Sequence, residues 1–173
     1  MSGPFVIRAA RPTDVDAIAR VHVASWRANY RGLISDDLID ARTFEVRKLE
    51  WSKHLEQSGP VTLVACDESG VQGFANALVL TKPTGGFTSF LQTLYLAPEI
   101  THQGCGRALL RAIAADLVGL GAKNMALRTL RTSPARGFYE HLGARLIPEG
   151  IDIDADEFDD VDYGFDDLRV LLQ

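Results

Sequence analysis

The sequence predicts one domain, 1–173, of mixed α/β (α+β) architecture: a central sheet of about seven strands flanked by about four helices. Three observations carry this. Helical spacing of apolar residues runs through 14–57, β-type runs occupy 61–81, and from 87 onward strands and helices alternate. The chain is long enough to bury a full core, and neither an internal repeat nor a linker divides it.

The elements follow in order. "FVIRAA" (5–10) is a short apolar strand that ends at Arg11-Pro12. Thr13, followed by Asp16, reads as the cap of a first helix that carries Ala17, Val21, Ala24 and Trp26 at helical spacing to Tyr30. "RGLIS" breaks that helix, and Ser35 or Asp36 caps a second, read as continuous to Gln57 and stopped by Ser58-Gly59-Pro60. "VTLVACDESGVQGFANALVLT" is a hairpin about Ser69-Gly70, and "FTSFLQTLYLAP" is a further long strand. A helix over 104–120, a strand over 124–130 and a helix over "SPARGFYEHLG" come next, the last with Pro134 in its first turn and Gly143 at its end. "ARLIPEG" and "DYGFDDLRVLL" are read as the closing strands.

Composition narrows the class. A net charge of −5 argues against nucleic acid as the main partner, because phosphate binding needs a basic face. No apolar stretch approaches membrane-spanning length and "MSGPFVIRAARP" is charged where a secretory core would sit, so a cytoplasmic enzyme or binding protein is expected. Cys66 lies in an apolar run and Cys105 in a glycine loop, a pattern that suits neither a disulfide framework nor a zinc site. The segment 149–167 is rich in Asp and Glu and holds no Lys or Arg. Its "DIDAD" opening fails as a calcium loop, since Glu157 and Tyr163 stand where Gly and Glu are needed.

The most informative stretch is "APEITHQGCGRALLRAI" (97–113), a glycine loop between a strand and a helix N-terminus. It lacks the Gly-Lys-Ser/Thr of a nucleotide P-loop, and Leu109 stands where a dinucleotide loop has its third glycine. Two readings remain. The loop is a pyrophosphate cradle of backbone N–H groups, with small Gly104, Gly106 and Ala108 admitting the phosphates and Arg107 adding a contact, or it is only a tight turn.

"LYLAPEITHQGCGRALL" resembles the central motif of the GNAT superfamily of acyl-CoA-dependent N-acyltransferases, Arg/Gln-x-x-Gly-x-Gly/Ala after a strand ending near a proline. "SPARGFYEHLGA" is similar to the family's second motif, Ala-x-x-Phe-Tyr-x-x-x-Gly, and "SWRANYRGLIS" to a Trp-Arg-x-x-Tyr-x-Gly stretch of bacterial members. The resemblance implies a GNAT-like fold, acetyl-CoA as cosubstrate with no metal, and transfer to a primary amine of a small molecule or peptide. It implies the pyrophosphate on the N–H groups of Gln103, Gly104, Cys105, Gly106 and Arg107, flanked by Thr101, His102 and Ala108, and pantetheine along the backbone of Leu94, Tyr95 and Leu96. Thr101 departs from the usual Arg or Gln, and Thr132 from an Asn that often precedes the second motif.

By the same resemblance Tyr139 is the general acid that protonates the departing thiolate, and an N–H at Leu94 or a neighbour polarises the carbonyl. Many relatives carry a Glu at the start of the central strand, where this chain has Phe90. His22 and His54 titrate in the right range, and the base stays unassigned. His22, Trp26 and Tyr30 share one helix stripe, and the resemblance puts Trp26 and Tyr30 at the acceptor cleft, with core packing an equal alternative for Trp26. The acidic stretch reads either as a solvated loop or as an attractor for a cationic acceptor. A non-catalytic acyl-CoA-binding module is the alternative function, and the oligomeric state stays open, a homodimer included.

Overall fold

The computed structural model describes residues 5–153 and 158–173. A seven-stranded sheet in the order β1-β2-β3-β4-β5-β7-β6 forms its centre. The strands are β1 (Val6–Ala9), β2 (Val61–Asp67), β3 (Gly70–Thr84), β4 (Phe87–Leu96), β5 (Met125–Leu130), β6 (Arg145–Ile147) and β7 (Asp160–Phe165). The helices are α1 (Val15–Tyr30), α2 (Asp36–Asp40), α3 (Phe44–Leu55), α4 (Cys105–Gly119) and α5 (Ala135–His141). All neighbouring strands are antiparallel except β4 and β5, which run parallel. None of the described helices is long and apolar enough to cross a membrane.

Alternation along the strands feeds two cores. Leu63 and Ala65 of β2, with Ala75 and Ala77 of β3, face Leu109, Leu110, Ile113 and Leu117 of α4. Val64 and Phe74, one residue out of step, face Val15, Ile18 and Val21 of α1 and Trp51 of α3. Each large apolar side chain so buried contributes roughly 1.5–3 kcal/mol relative to exposure.

Three local readings need correction. The Asp14 carboxylate, not Thr13, organises the start of α1: it accepts from the Arg11 N–H at 2.8 Å and pairs with Arg8 at 2.7 Å. The helix expected over 36–57 breaks into α2 and α3, because the Thr43 backbone is extended and its Oγ1 accepts from the Val46 N–H. The C-terminal stretch ends its strand at Phe165. Asp167 then caps a 3-10 turn over Leu168–Leu172, which seats Leu168 and Leu171 in the α4 core.

Candidate functional site

The site begins with a split in the sheet. β4 and β5 pair only at Phe90–Ala126 and Leu91–Leu127. Beyond that point β4 continues along β3 as far as Leu96, while β5 continues along β7 as far as Leu130. Asn124 clamps the closed end, accepting from the Thr88 N–H at 2.8 Å and donating to the Gly86 carbonyl at 2.9 Å. Where the split starts, β4 bulges: Asn76 faces Thr93 and Ala77 faces Leu91, which leaves Gln92 as the extra residue. The bulge changes the alternation, so Leu91, Leu94 and Leu96 all pack on the α4 side while Tyr95 points to the α1 side. From Gln92 to Leu96 the β4 edge turned to β5 meets no strand among the described residues.

The glycine loop lies just past the open end of β4. His102 and Gly104 both have positive φ, 65° and 82°, and Gly104 caps α4 without a side chain. Gln103 Nε2 donates to the Glu99 carbonyl at 3.1 Å, and Thr101 Oγ1 to that of Pro98 at 3.1 Å, which holds the turn. The first N–H groups of α4, at Cys105, Gly106 and Arg107, have no intrahelical acceptor by position, and the helix dipole adds to their pull on an anion. A Cβ on Gly104 would meet nothing within 4 Å, so the space over this turn is open. Gly106 differs from its reading as an opening for phosphate. Its Cβ would lie 3.3 Å from Phe138 Cζ and 3.5 Å from Leu96 Cδ1, so it is small to let α4 pack on β4 and α5. Burial lifts the Cys105 thiol to about 11, which leaves it a core group rather than a nucleophile. Thr132 is exposed in the turn before α5.

A second hollow, of about 130 Å³, opens on the α1 side of the split. Phe90, Gln92 and Tyr95 come from β4, Trp26 and Tyr30 from the last turns of α1, Arg128, Thr129 and Leu130 from β5, and Phe158 and Asp160 from the start of β7. The helical spacing of Trp26 and Tyr30 brings their rings edge to face at 4.7 Å. The Tyr30 and Tyr95 hydroxyls lie 3.3 Å apart. Burial foremost, then Tyr95, Tyr139 and Asp160, push the Tyr30 phenol well above its ordinary value. Tyr139 of α5 is 8% exposed and sits edge-on to Phe138 at 5.2 Å. Burial, then Tyr95, raises its pKa well above 10, so it carries its proton throughout the neutral range.

The two histidines weighed as bases are placed elsewhere. His22 is buried, accepts from the Trp51 indole at 3.0 Å on Nδ1 and stacks on Tyr95 at 4.7 Å. Burial, with Arg47 and Arg42 nearby, drives its pKa down to about 2, far too low for a base at neutral pH. His54 contacts Asn76 and Thr62 on the sheet beneath α3 and lies outside the lining of the hollow. Of the acidic stretch, Asp152 is exposed, Asp154, Asp156 and Glu157 lie outside the described residues, and Asp160 is the one acid among the described residues that lines the hollow. Sequence reasoning missed Gln92, Phe158 and the ring of Tyr95. A strand that changes its buried parity after Leu91 was the available signal for Gln92.

Comparison with known proteins gives the class, that of the N-acetyltransferases. Residues 21–144 match the acetyltransferase (GNAT) family, and the chain belongs to that family. It is 30% identical over 167 residues to the uncharacterized N-acetyltransferase YuaI of Bacillus subtilis (strain 168), covering 95% of each chain. The fold is similar to that of the PaiA N-acetyltransferase of Thermoplasma acidophilum in complex with coenzyme A, with a TM-score of 0.75 at 22% identity, over 94% of this chain and 98% of that one. It is also similar to YncA, a putative acetyltransferase from Salmonella typhimurium with its cofactor acetyl-CoA, with a TM-score of 0.64 at 19% identity, over 96% and 95%.

Proposed function

We propose that residues 1–173 act as one domain that moves an acetyl group from acetyl-CoA to a primary amine of a small molecule or peptide by direct attack. The observation that carries this is the split between β4 and β5, which gives two approaches to one point of the sheet. From the α4 side, the open turn at Gly104 and the N–H groups from Gln103 to Arg107 are suited to a pyrophosphate. The unclaimed edge of Leu94–Leu96 offers strand-like hydrogen bonds to the amide-bearing pantetheine arm. From the α1 side, the hollow lined by Trp26 and Tyr30 admits the amine.

When bound, acetyl-CoA supplies an activated acyl group as a thioester. The residues of the chain do the rest. A β4 N–H at Leu94 or beside it donates a hydrogen bond to the carbonyl oxygen as negative charge grows there. Tyr139, kept protonated by its burial, donates to the departing thiolate. Phe90 offers no carboxylate and His22 is too weak a base, so the base stays unassigned, and a water chain to bulk is sufficient for a weakly basic amine.

The test mixes purified protein with acetyl-CoA, a panel of amines and a thiol reagent, with calorimetry of acetyl-CoA alongside. Amine-dependent release of CoA is expected. Retained acetyl-CoA binding with no release above the blank for any amine would make the protein a binding module instead.

A further inference from the structure

We propose that Gln92 orients the acceptor, its side-chain carbonyl accepting one N–H of the attacking nitrogen, and that this hold selects primary over secondary amines. The proposal rests on the transfer reading above. Gln92 is the extra residue of the β4 bulge, at the point where β4 parts from β5. It follows Leu91, which packs on the α4 side, so its side chain leaves the opposite face of the strand, toward α1. That face opens at the hollow, and Gln92 is part of the lining. A residue in the middle of a seven-stranded sheet is ordinarily covered. Gln92 is nevertheless exposed, between buried Leu91 and half-buried Thr93, and it reaches solvent through the hollow.

The other polar residues of the lining are engaged or turned away. The Tyr30 and Tyr95 hydroxyls meet each other at 3.3 Å. Arg128 is held by Asp162 and by the Ile151 and Ile153 carbonyls, and Asp160 is engaged as well. Thr129 comes two residues after Leu127 on β5 and shares its α4-facing side. The Gln92 amide has no hydrogen-bond partner among the described residues, so its acceptor oxygen is available to a ligand. At about 3.3 Å of rise per residue, Gln92 and Leu94 are roughly 6–7 Å apart along β4. A nitrogen held at the end of the Gln92 side chain and a thioester carbonyl held near the Leu94 N–H therefore belong to one reaction centre.

The preference for primary amines follows from a count of protons. A primary amine brings one lone pair and two N–H bonds. As the C–N bond forms and the C–S bond breaks, positive charge grows on nitrogen and the hydrogen bond to Gln92 tightens. The other N–H proton leaves to solvent, the thiolate takes the Tyr139 proton, and Tyr139 is reprotonated from solvent. A secondary amine has a single N–H and must surrender the Gln92 bond to lose it. An amide oxygen is no base at neutral pH, so Gln92 orients the nitrogen without deprotonating it.

The experiment compares a primary amine with its N-methyl counterpart, in wild type and in Gln92→Met, which keeps the side-chain length and removes the acceptor oxygen. Wild type is expected to favour the primary amine. Gln92→Met should lower kcat/KM for that amine about tenfold and leave the secondary amine within about twofold. The melting temperature and the Kd for acetyl-CoA should hold, because the side chain is exposed and stands apart from the glycine loop. Gln92→Glu sets a carboxylate in the same place, able to hold the nitrogen and also to take its proton. Near neutral pH it should raise kcat/KM for the primary amine at least about tenfold over wild type, and the gain should fade as pH falls toward about 4 and the carboxylate is protonated. Equal use of the two amines by wild type, an equal loss for both or no loss in Gln92→Met, or a wild-type pH profile in Gln92→Glu would each overturn the assignment and leave acetyl transfer standing. If wild type releases no CoA with any amine, the transfer reading and the assignment fall together.

Discussion

The cradle assignment makes a prediction about two alanines at opposite ends of one helix. Gly104 and Gly121 flank α4 with φ of 82° and 90°, and a Cβ at either would meet nothing within 4 Å. Alanine at either position therefore costs the same backbone strain, roughly 1–2 kcal/mol for a left-handed L-residue, and adds no clash. In a chain of this size each kcal/mol lowers Tm by about 2–4 °C, so both variants should melt a few degrees early and by similar amounts. Only Gly104→Ala sets its methyl group in the space assigned to the pyrophosphate. It should weaken acetyl-CoA more than about tenfold, or about 1.4 kcal/mol, while Gly121→Ala binds like wild type.

Gly106→Ala is the third member of the set, and it should behave differently. Its methyl would press on Phe138 at 3.3 Å and on Leu96 at 3.5 Å, so the variant should lose stability by about 1–3 kcal/mol from overpacking. Any loss of acetyl-CoA affinity there would come with displaced packing. Calorimetric Kd values and melting curves for the three proteins decide the matter. Wild-type affinity in Gly104→Ala, or an equal loss in Gly121→Ala, would refute the cradle.

Tyr139→Phe keeps the ring against Phe138 and removes one hydroxyl, so kcat should fall about 10²- to 10⁴-fold, or about 2.7–5.4 kcal/mol, with acetyl-CoA Kd unchanged. Wild-type turnover in that variant would return Tyr139 to a packing role. His22 gives an acid limb to stability: its pKa is depressed from 6.5 to about 2 in the fold, so its contribution is whole above pH 6.5 and drains away as pH falls toward 2. The slope reaches at most about 1.4 kcal/mol per pH unit, and urea midpoints for His22→Gln between pH 7.5 and 5 should show a shallower decline. Arg107→Ala removes an exposed side chain beside a cradle of backbone donors and should weaken acetyl-CoA less than Gly104→Ala does in the same titration.

What the sequence discloses and what it hides divide along the range of the forces involved. The strands, most helices and the α/β class are legible because alternation and helical spacing are local, and the glycine turn at 104 is legible because its backbone needs are local too. The break at Thr43 was equally local, a capping hydroxyl ahead of Val46, but it lay inside a run whose apolar spacing continues across it. The split between β4 and β5 is different. It depends on β4 keeping β3, β5 keeping β7, and Asn124 clamping residues 36 and 38 positions away. No short window records that. Asp160 shows the same limit at the level of a single side chain. In the sequence it is one acid among several in 149–167; in the fold, the pairing of Leu130 with Asp160 sets it among the residues that line the hollow, while Asp159, one step back along the chain, is 73% exposed with Arg131. A slip of β7 by one residue would reverse those places. Which acid of the stretch lines the hollow is therefore set by strand register, and Tyr163 and Phe165, fully buried on β7, help to hold that register.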